Sequence, residues 1–388
     1  MRATNSTRLH VVDALRGFAI VTILLLHNLE HFDVYHLPAN LPDWMVALDK
    51  GIWDTLFFMF AGKSYAMFAL LFGLTFFLQS DSQGKRGKDF RGRFAWRLLL
   101  LFGFGLLNSC FYQGDILTIY AILGFALIPV ARWSDRAVLI TAVVLLLQPF
   151  EWGRFFVGLS DPSAKLPNPA SWQYFGKMGE YITGSSFMAT VAGNLTNGKL
   201  AVYNWTWEAG RVFQAPALFM LGMLAGRNGL FVASEKSLRF WKKTLLLAVL
   251  GYGALWGAKY GIEHGIGSKA LRSPLLSIFT TWVSFTFMLV WVSLFVLLFE
   301  KRLFHRLLNL FAPLGRMSLS NYVMQSIMGS FVYYGFGLGL YFYTGATYSL
   351  LIALGLVAIQ WLFCRWWLGR HKQGPLEYLW HRATWIRS

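Results

Sequence analysis

Charge is scarce in this chain: only 14% of its 388 residues are Asp, Glu, Lys or Arg, where soluble domains carry about a quarter. With 56% hydrophobic and 18% aromatic residues, that shortage excludes an ordinary soluble domain and implies a polytopic membrane protein. Acidic residues are scarcer still, 18 against 35 Lys and Arg, for a formal charge of +17. The basic excess sorts by side of the membrane instead of forming one soluble face, so no nucleic-acid partner is expected. There are two cysteines, Cys110 and Cys364, near opposite ends of their spans and too far apart for a disulfide. Low-complexity tracts and repeats of about 20 to 50 residues are also lacking.

What the chain does have is apolar runs able to cross a hydrocarbon core of roughly 30 Å, which takes about 20 helical residues. Ten spans are expected, over 11–29, 52–79, 95–112, 115–131, 136–150, 211–226, 243–260, 275–299, 317–340 and 347–364. The expected fold is all-α, one membrane domain over 1–388. Most Lys and Arg, Arg2, Arg8 and Arg387 among them, fall in segments on the side of the N-terminus, which places both termini in the cytoplasm by the positive-inside rule. The charge-balanced segment 151–210, between spans five and six, is then extracytoplasmic. Asp13 and Arg16 interrupt the first span and no small-residue cleavage site follows, so it is expected to be a retained anchor.

That first span, "VVDALRGFAIVTILLLHN", carries three titratable groups. At 100° per helical residue, Arg16 and His27 lie within about 20° of one another, separated by ~16 Å of rise, with Asp13 and His31 within about 60° of the same line. Charge at mid-membrane costs ~3 kcal/mol and normally faces a bundle interior or wet cavity, so the stripe is expected to line one. The plainer alternative is a local Asp13–Arg16 pair snorkelling to the interface while His27 sits among headgroups. Lys63, in "FMFAGKSYAMFALLFG", needs a carboxylate, carbonyls or an anionic ligand; its "GKS" is no phosphate loop, because Phe57 stands where the earlier Gly is required. Asp115 opens the fourth span, as a helix-end carboxylate or a functional group. Ser318, Asn321 and Gln325, led by Arg316, form a polar stripe serving interhelical hydrogen bonds or a ligand. Asp115, His31 and Glu208 are the candidate acceptor-side groups. "HNLEH" (His27, Glu30, His31) has zinc-like spacing but no third ligand beyond Glu30, so no metal is expected. Chemically, an outer imidazole suits a general base that weakens on acidification, and Arg suits phosphates. Together they fit group transfer from a phosphate-bearing donor inside to an acceptor outside.

The stretches "VDALRGFAIVTILLLHN", "GKSYAMFALLFG", "GDILTIYAILG", "FMLGMLAGRNGL", "GRMSLSNYVMQSIMGSFVYYGFGLGL" and "GPLEYLW" resemble, in order and over nearly the whole chain, the YeiB-like membrane proteins. These carry a domain of unknown function (DUF418) and are grouped with transmembrane acyltransferases. Arg16 and His27 match the Arg-to-His spacing of the acyltransferase-3 branch. In the related heparan-glucosaminide acetyltransferases the catalytic His lies in the loop after the first span, where this chain offers His31 and His36. The resemblance implies an acyl-CoA, such as acetyl-CoA, as the donor from the cytoplasm, and a sugar or other envelope molecule as acceptor. On that reading Arg16, Lys63, Arg316, Asn321 and Gln325 hold the donor, His27 or His36 is the base, and Asp13 fixes Arg16. The setting is the bilayer of a bacterial inner membrane, and a homodimer is left open. The rivals are a transporter or flippase for an anionic solute, and a non-catalytic membrane partner whose stripes only pack.

Overall fold

The computed structural model describes residues 9–34 and 36–386; Arg2, Arg8 and Arg387, which helped orient the chain, lie outside the described residues. Among the described residues the chain is helical and contains no strand. The principal helices are α1 (His10–Leu29), α2 (Asp43–Phe60), α3 (Lys63–Gly84), α4 (Arg91–Ser109), α5 (Leu117–Gly124), α6 (Asp135–Leu146), α7 (Pro149–Ser160), α8 (Lys199–Glu208), α9 (Arg211–Arg227), α10 (Glu235–Gly265), α11 (Lys269–Phe299), α12 (Ala312–Arg316), α13 (Ser318–Tyr333), α14 (Ala346–Leu368) and α15 (Pro375–Thr384). Among the described residues, five stretches are long and apolar enough to cross a membrane: α1, the α2–α3 run, α10, α11 and α14. The α6–α7 pair, bent by 42°, supplies a sixth if counted as one span.

Of the other four expected spans, that over 95–112 is α4, 19 residues long but not among these stretches, and the rest are shorter helices, of 8 residues in α5, 17 in α9 and 16 in α13. They pack within the protein, so contact with neighbours, and not bilayer thickness, sets their length and polarity. By contrast α10 buries only Ser237, Trp241 and Ala248 and packs on α11. Its Leu246, Leu247, Leu250 and Trp256 point outward, as do Leu351, Leu354, Ile359 and Leu362 of α14. So broad an apolar exterior suits lipid.

Titratable α1 sits in the middle, against α2, α3, α12, α13 and α14. Its contact with α12 is made by glycine on both sides. A Cβ on Gly17 would lie 1.9 Å from the Phe311 carbonyl oxygen, and one on Gly315 would lie 1.8 Å from that of Asp13. This close backbone approach, the small-residue packing found between membrane helices, also sets the neighbours Arg16 and Arg316 on a shared cavity.

Of the polar stripe only its first members, Arg316 and Ser318, reach a cavity; Asn321 and Gln325 do not. Asn321 donates to the Leu314 carbonyl at 2.9 Å and touches Cys364 Sγ at 3.1 Å. Gln325 donates to Gln360 Oε1 at 3.2 Å and to the Ile20 carbonyl at 3.4 Å, and Gln360 donates to the Asn321 carbonyl. These groups tie α13 to α1 and α14 at about 0.6–2 kcal/mol per bond.

The glycine contact predicts that Gly315→Ala lowers the melting temperature of the detergent-solubilised protein, by the ~1–3 kcal/mol typical of overpacking. Gly253→Ala, where nothing lies within 4 Å of the added Cβ, should leave stability unchanged or slightly raised. Equal melting temperatures for wild type and Gly315→Ala would contradict the packing.

Candidate functional site

Beyond Leu29 the chain makes an unusual turn. His31, Phe32 and Asp33 have φ of 48°, 54° and 80°, three successive non-glycine residues in the left-handed region, which costs about 1–2 kcal/mol per residue. Such strain survives only where the surroundings over-determine it. The buried His31 ring stacks on Tyr333, with Nε2 2.8 Å from Ser349 Oγ and 3.2 Å from Thr344 Oγ1. Tyr334 donates to the Phe32 carbonyl at 3.2 Å. The Phe32 ring occupies the space left by Gly329, where a Cβ would lie 2.2 Å away. Held in this way, Asp33 lines the same cavity as His27 and Glu30.

That cavity, of about 410 Å³, is also lined by Tyr112, Arg211, Phe57, Phe60, Phe175, Trp205, Tyr65 and Tyr322. His27 Nδ1 is 3.2 Å from the Tyr112 hydroxyl and 3.6 Å from Glu30 Oε2. Tyr112 and Gln113 in turn hydrogen-bond the Asp33 carboxyl. With Nδ1 engaged, Nε2 is the ring nitrogen left for a bound molecule, and an imidazole oriented by a carboxylate is the usual arrangement of a general base. Burial, reinforced by the Glu30 charge, pushes the Asp33 carboxyl up to about 7. Burial lowers His31 to about 4, so His31 is a neutral anchor.

A second cavity, of about 480 Å³, lies at the other end of α1 between α1, α3, α4, α13 and α15. It continues into a groove of about 640 Å³ through the shared Gln79, Arg97 and His381. Together they present Arg16, Arg97, Arg316, Lys372, Arg86 and Lys88 against one carboxylate, Glu377. Arg16 donates to Thr75 Oγ1 at 2.9 Å and lies 3.5 Å from Asp13. Arg97 lies over the Trp380 ring at 4.0 Å and donates to Thr384 Oγ1 at 3.1 Å, tying α15 across the mouth. Glu377 accepts from the Leu319 and Ser320 amides at 2.7 and 3.1 Å, which puts an anion on the positive end of α13.

About one helical turn separates the two cavities. Tyr65, Ile119 and Tyr322 face the first, whereas Phe68, Tyr120 and Leu319 face the second. The Tyr120 hydroxyl donates to the Tyr65 carbonyl at 2.9 Å within this layer.

Of the residues singled out in the sequence, His27 lines the first cavity and Arg16 and Arg316 the second, with Asp13 beside Arg16. The structure does not bring the others to either cavity. The α2–α3 run, one apolar stretch over Asp43–Gly84, breaks at Ala61 and Gly62, so Lys63 is the first residue of α3 near the middle of that stretch. Its Nζ donates to the Phe58 carbonyl at 2.8 Å and lies over Phe287 at 5.3 Å. His36 stacks on Phe342. Asp115 accepts from Asn108 Nδ2 and the Thr118 amide at 3.0 and 2.9 Å and lies 3.5 Å from Lys199; Glu208 accepts from Ser171. Asp33, Tyr112, Arg211, Arg97 and Glu377 escaped the sequence reading. Glu30, three residues after His27, and the Pro375-x-Glu377 helix start were the available signals.

The chain matches, over residues 225–387, the family described as "Protein of unknown function (DUF418)". It is 29% identical over 404 residues to "Uncharacterized protein YxaH" of Bacillus subtilis (strain 168), covering 98% of this chain and 95% of that one. It is 27% identical over 398 residues to "Uncharacterized protein YeiB" of Escherichia coli (strain K12), covering 96% and 95%. No solved structure matches the chain.

A carboxyl held protonated by the fold stabilises the native state at low pH and loses that stabilisation as pH rises through its raised value. Asp33→Asn, which imitates the protonated form and tolerates the left-handed region, should therefore melt above wild type at pH 8 and level with it at pH 4. Protonation of His31 weakens both proteins alike at acid pH. A melting difference independent of pH would exclude the assignment.

Proposed function

We propose that this chain, which matches the DUF418 family over residues 225–387, is similar to YeiB and YxaH over nearly its whole length and is built as a helical membrane bundle, is a transmembrane acyltransferase. It moves an acyl group, acetyl for example, from cytoplasmic acyl-CoA to an acceptor on the far side of a bacterial inner membrane. On this reading ten segments cross or enter the bilayer and both termini are cytoplasmic, so the Arg16 cavity opens inward and the His27 cavity outward. One observation carries the proposal: a cation-lined cavity and a cavity with an imidazole and two carboxylates sit back to back along α1, with about one turn of α3 and of α13 between them.

Arg16, Arg316 and Lys372, with Arg86, Lys88 and Arg97 along the groove, neutralise the donor's phosphates. Its extended arm passes the layer at Tyr65, Tyr120 and Leu319 so that the thioester meets the outer cavity. His27 Nε2 takes the proton from the acceptor's amine or hydroxyl, and the freed nucleophile attacks the thioester carbonyl. As the C–S bond breaks, the leaving sulfur takes that proton back from His27. Glu30 and Tyr112 hold the ring through Nδ1. The breaks at Ala61–Gly62 and between α6 and α7 are the features that favour transport of an anionic solute instead.

Labelled acetyl-CoA and the purified protein in detergent separate the two readings. Saturable binding is expected, at least about tenfold weaker in Arg16→Ala and in Arg316→Gln, the loss of one charged hydrogen bond. His27→Ala should retain binding while thioester consumption falls about 10²–10⁴-fold, the usual contribution of a general base. Absent or unchanged binding, or full turnover without His27, would sink the enzymatic account.

A further inference from the structure

Arg211 is the first residue of the 17-residue helix α9, after Gly210 at a φ of 66°. A guanidinium there adds to the positive end of the helix dipole, where a cation is least favoured. Its plane is clamped between two aromatic faces, 3.8 Å from the Trp205 ring centroid and 4.4 Å from that of Tyr65. Among the described residues no carboxylate lies within ion-pair distance of it and no acceptor takes its N–H groups, although the Glu30 charge acts on it through the cavity. Yet it lines the outer cavity. The carboxylates sharing that cavity are engaged elsewhere: Glu30 lies at His27, and Asp33 accepts from Tyr112 and Gln113. Stacked rings fix the guanidinium's orientation without using its donors, leaving a rigid fork suited to two oxygens of one oxyanion.

We infer that Arg211 is the anchor for an oxyanion, a phosphate or carboxylate, on the molecule that enters the outer cavity, with that molecule's amine or hydroxyl directed to His27. This deepens the acyltransferase reading and rests on it for the role of the nucleophile, but the anion site stands on its own geometry. The acceptor class is then narrower than an alcohol or a neutral sugar: a small anionic molecule, free or as a lipid headgroup, with a nucleophile near its charge. A cavity of about 410 Å³ takes a group of that size, and Trp205 and Phe175 offer apolar faces beside the fork.

The test is ligand-dependent thermal stability of the full protein in detergent, since a ligand that binds the folded state raises the melting temperature by mass action. Glucosamine 6-phosphate is compared with glucosamine, and phosphatidylethanolamine nanodiscs with phosphatidylcholine nanodiscs, for the soluble and lipid-borne sources. The expected result is a saturable shift for one phosphate amine over its control. That shift should persist in Arg16→Ala, which impairs the other cationic cavity, disappear in Arg211→Gln, and require at least about tenfold more ligand in Arg211→Lys. The lysine variant keeps the charge and serves if the glutamine variant does not fold. A shift that depends on Arg16 and not on Arg211 places the anion in the inner cavity and overturns the proposal, as does the absence of an Arg211-dependent shift in both arms. Binding with these properties but without thioester consumption would leave the anion site standing and remove the acyltransferase reading alone.

Discussion

The need to keep the polar groups of α1 away from lipid governs this structure. An Asp, an Arg and a His on one apolar helix are tolerable only where protein or a wet cavity meets them, so α1 occupies the centre of the bundle. The other helices are arranged by that demand. Gly17 and Gly315 let α12 come close enough for Arg16 and Arg316 to share a cavity, and Gln325 and Gln360 stitch α13 and α14 onto the same core. The lipid-facing work falls to elements such as α10, which has almost no buried surface.

Sequence periodicity was a good guide wherever one continuous helix was concerned. Arg16 and His27 do face a cavity each, at opposite ends of α1, because a regular helix converts spacing into direction. It was a poor guide where the backbone leaves the helix. Lys63 stands midway along the apolar α2–α3 run, but the break at Gly62, invisible to periodicity, makes it a helix end whose ammonium reaches the Phe58 carbonyl. The Asn321 and Gln325 stripe has the right period, but period cannot distinguish a neighbouring helix from a cavity. Asp33 was invisible for a stronger reason. No propensity favours three left-handed residues in "HFD", so the conformation exists only through contacts with Tyr333, Tyr334, Gly329 and Ser349, which lie some 300 positions away.

The two cavities differ in how their charge is held, which bears on what each can do. In the Arg16 cavity the cations hydrogen-bond the neutral oxygens of Thr75, Thr384 and the Lys372 carbonyl, and Arg16 also pairs with Asp13 at 3.5 Å. The one carboxylate of that cavity, Glu377, is turned toward the amides of α13. Lysines and arginines outnumber carboxylates along this cavity and its groove, so the space carries a net positive field that attracts a multiply charged ligand. In the His27 cavity the carboxylates lie beside the imidazole and the tyrosine, an arrangement able to pass a proton.

The strain in the turn after α1 gives that second cavity its character. A relaxed chain could leave the helix at Leu29 and place Glu30 and His27 on the bundle, but it would carry Asp33 away. Forcing His31, Phe32 and Asp33 through left-handed geometry costs of the order of a few kcal/mol, met by burying Phe32 and anchoring His31. What that expense secures is a carboxyl beside a tyrosine that contacts His27. Strain concentrated at the one point where a proton-handling group joins a cavity is the arrangement expected when position, and not stability, has been the constraint.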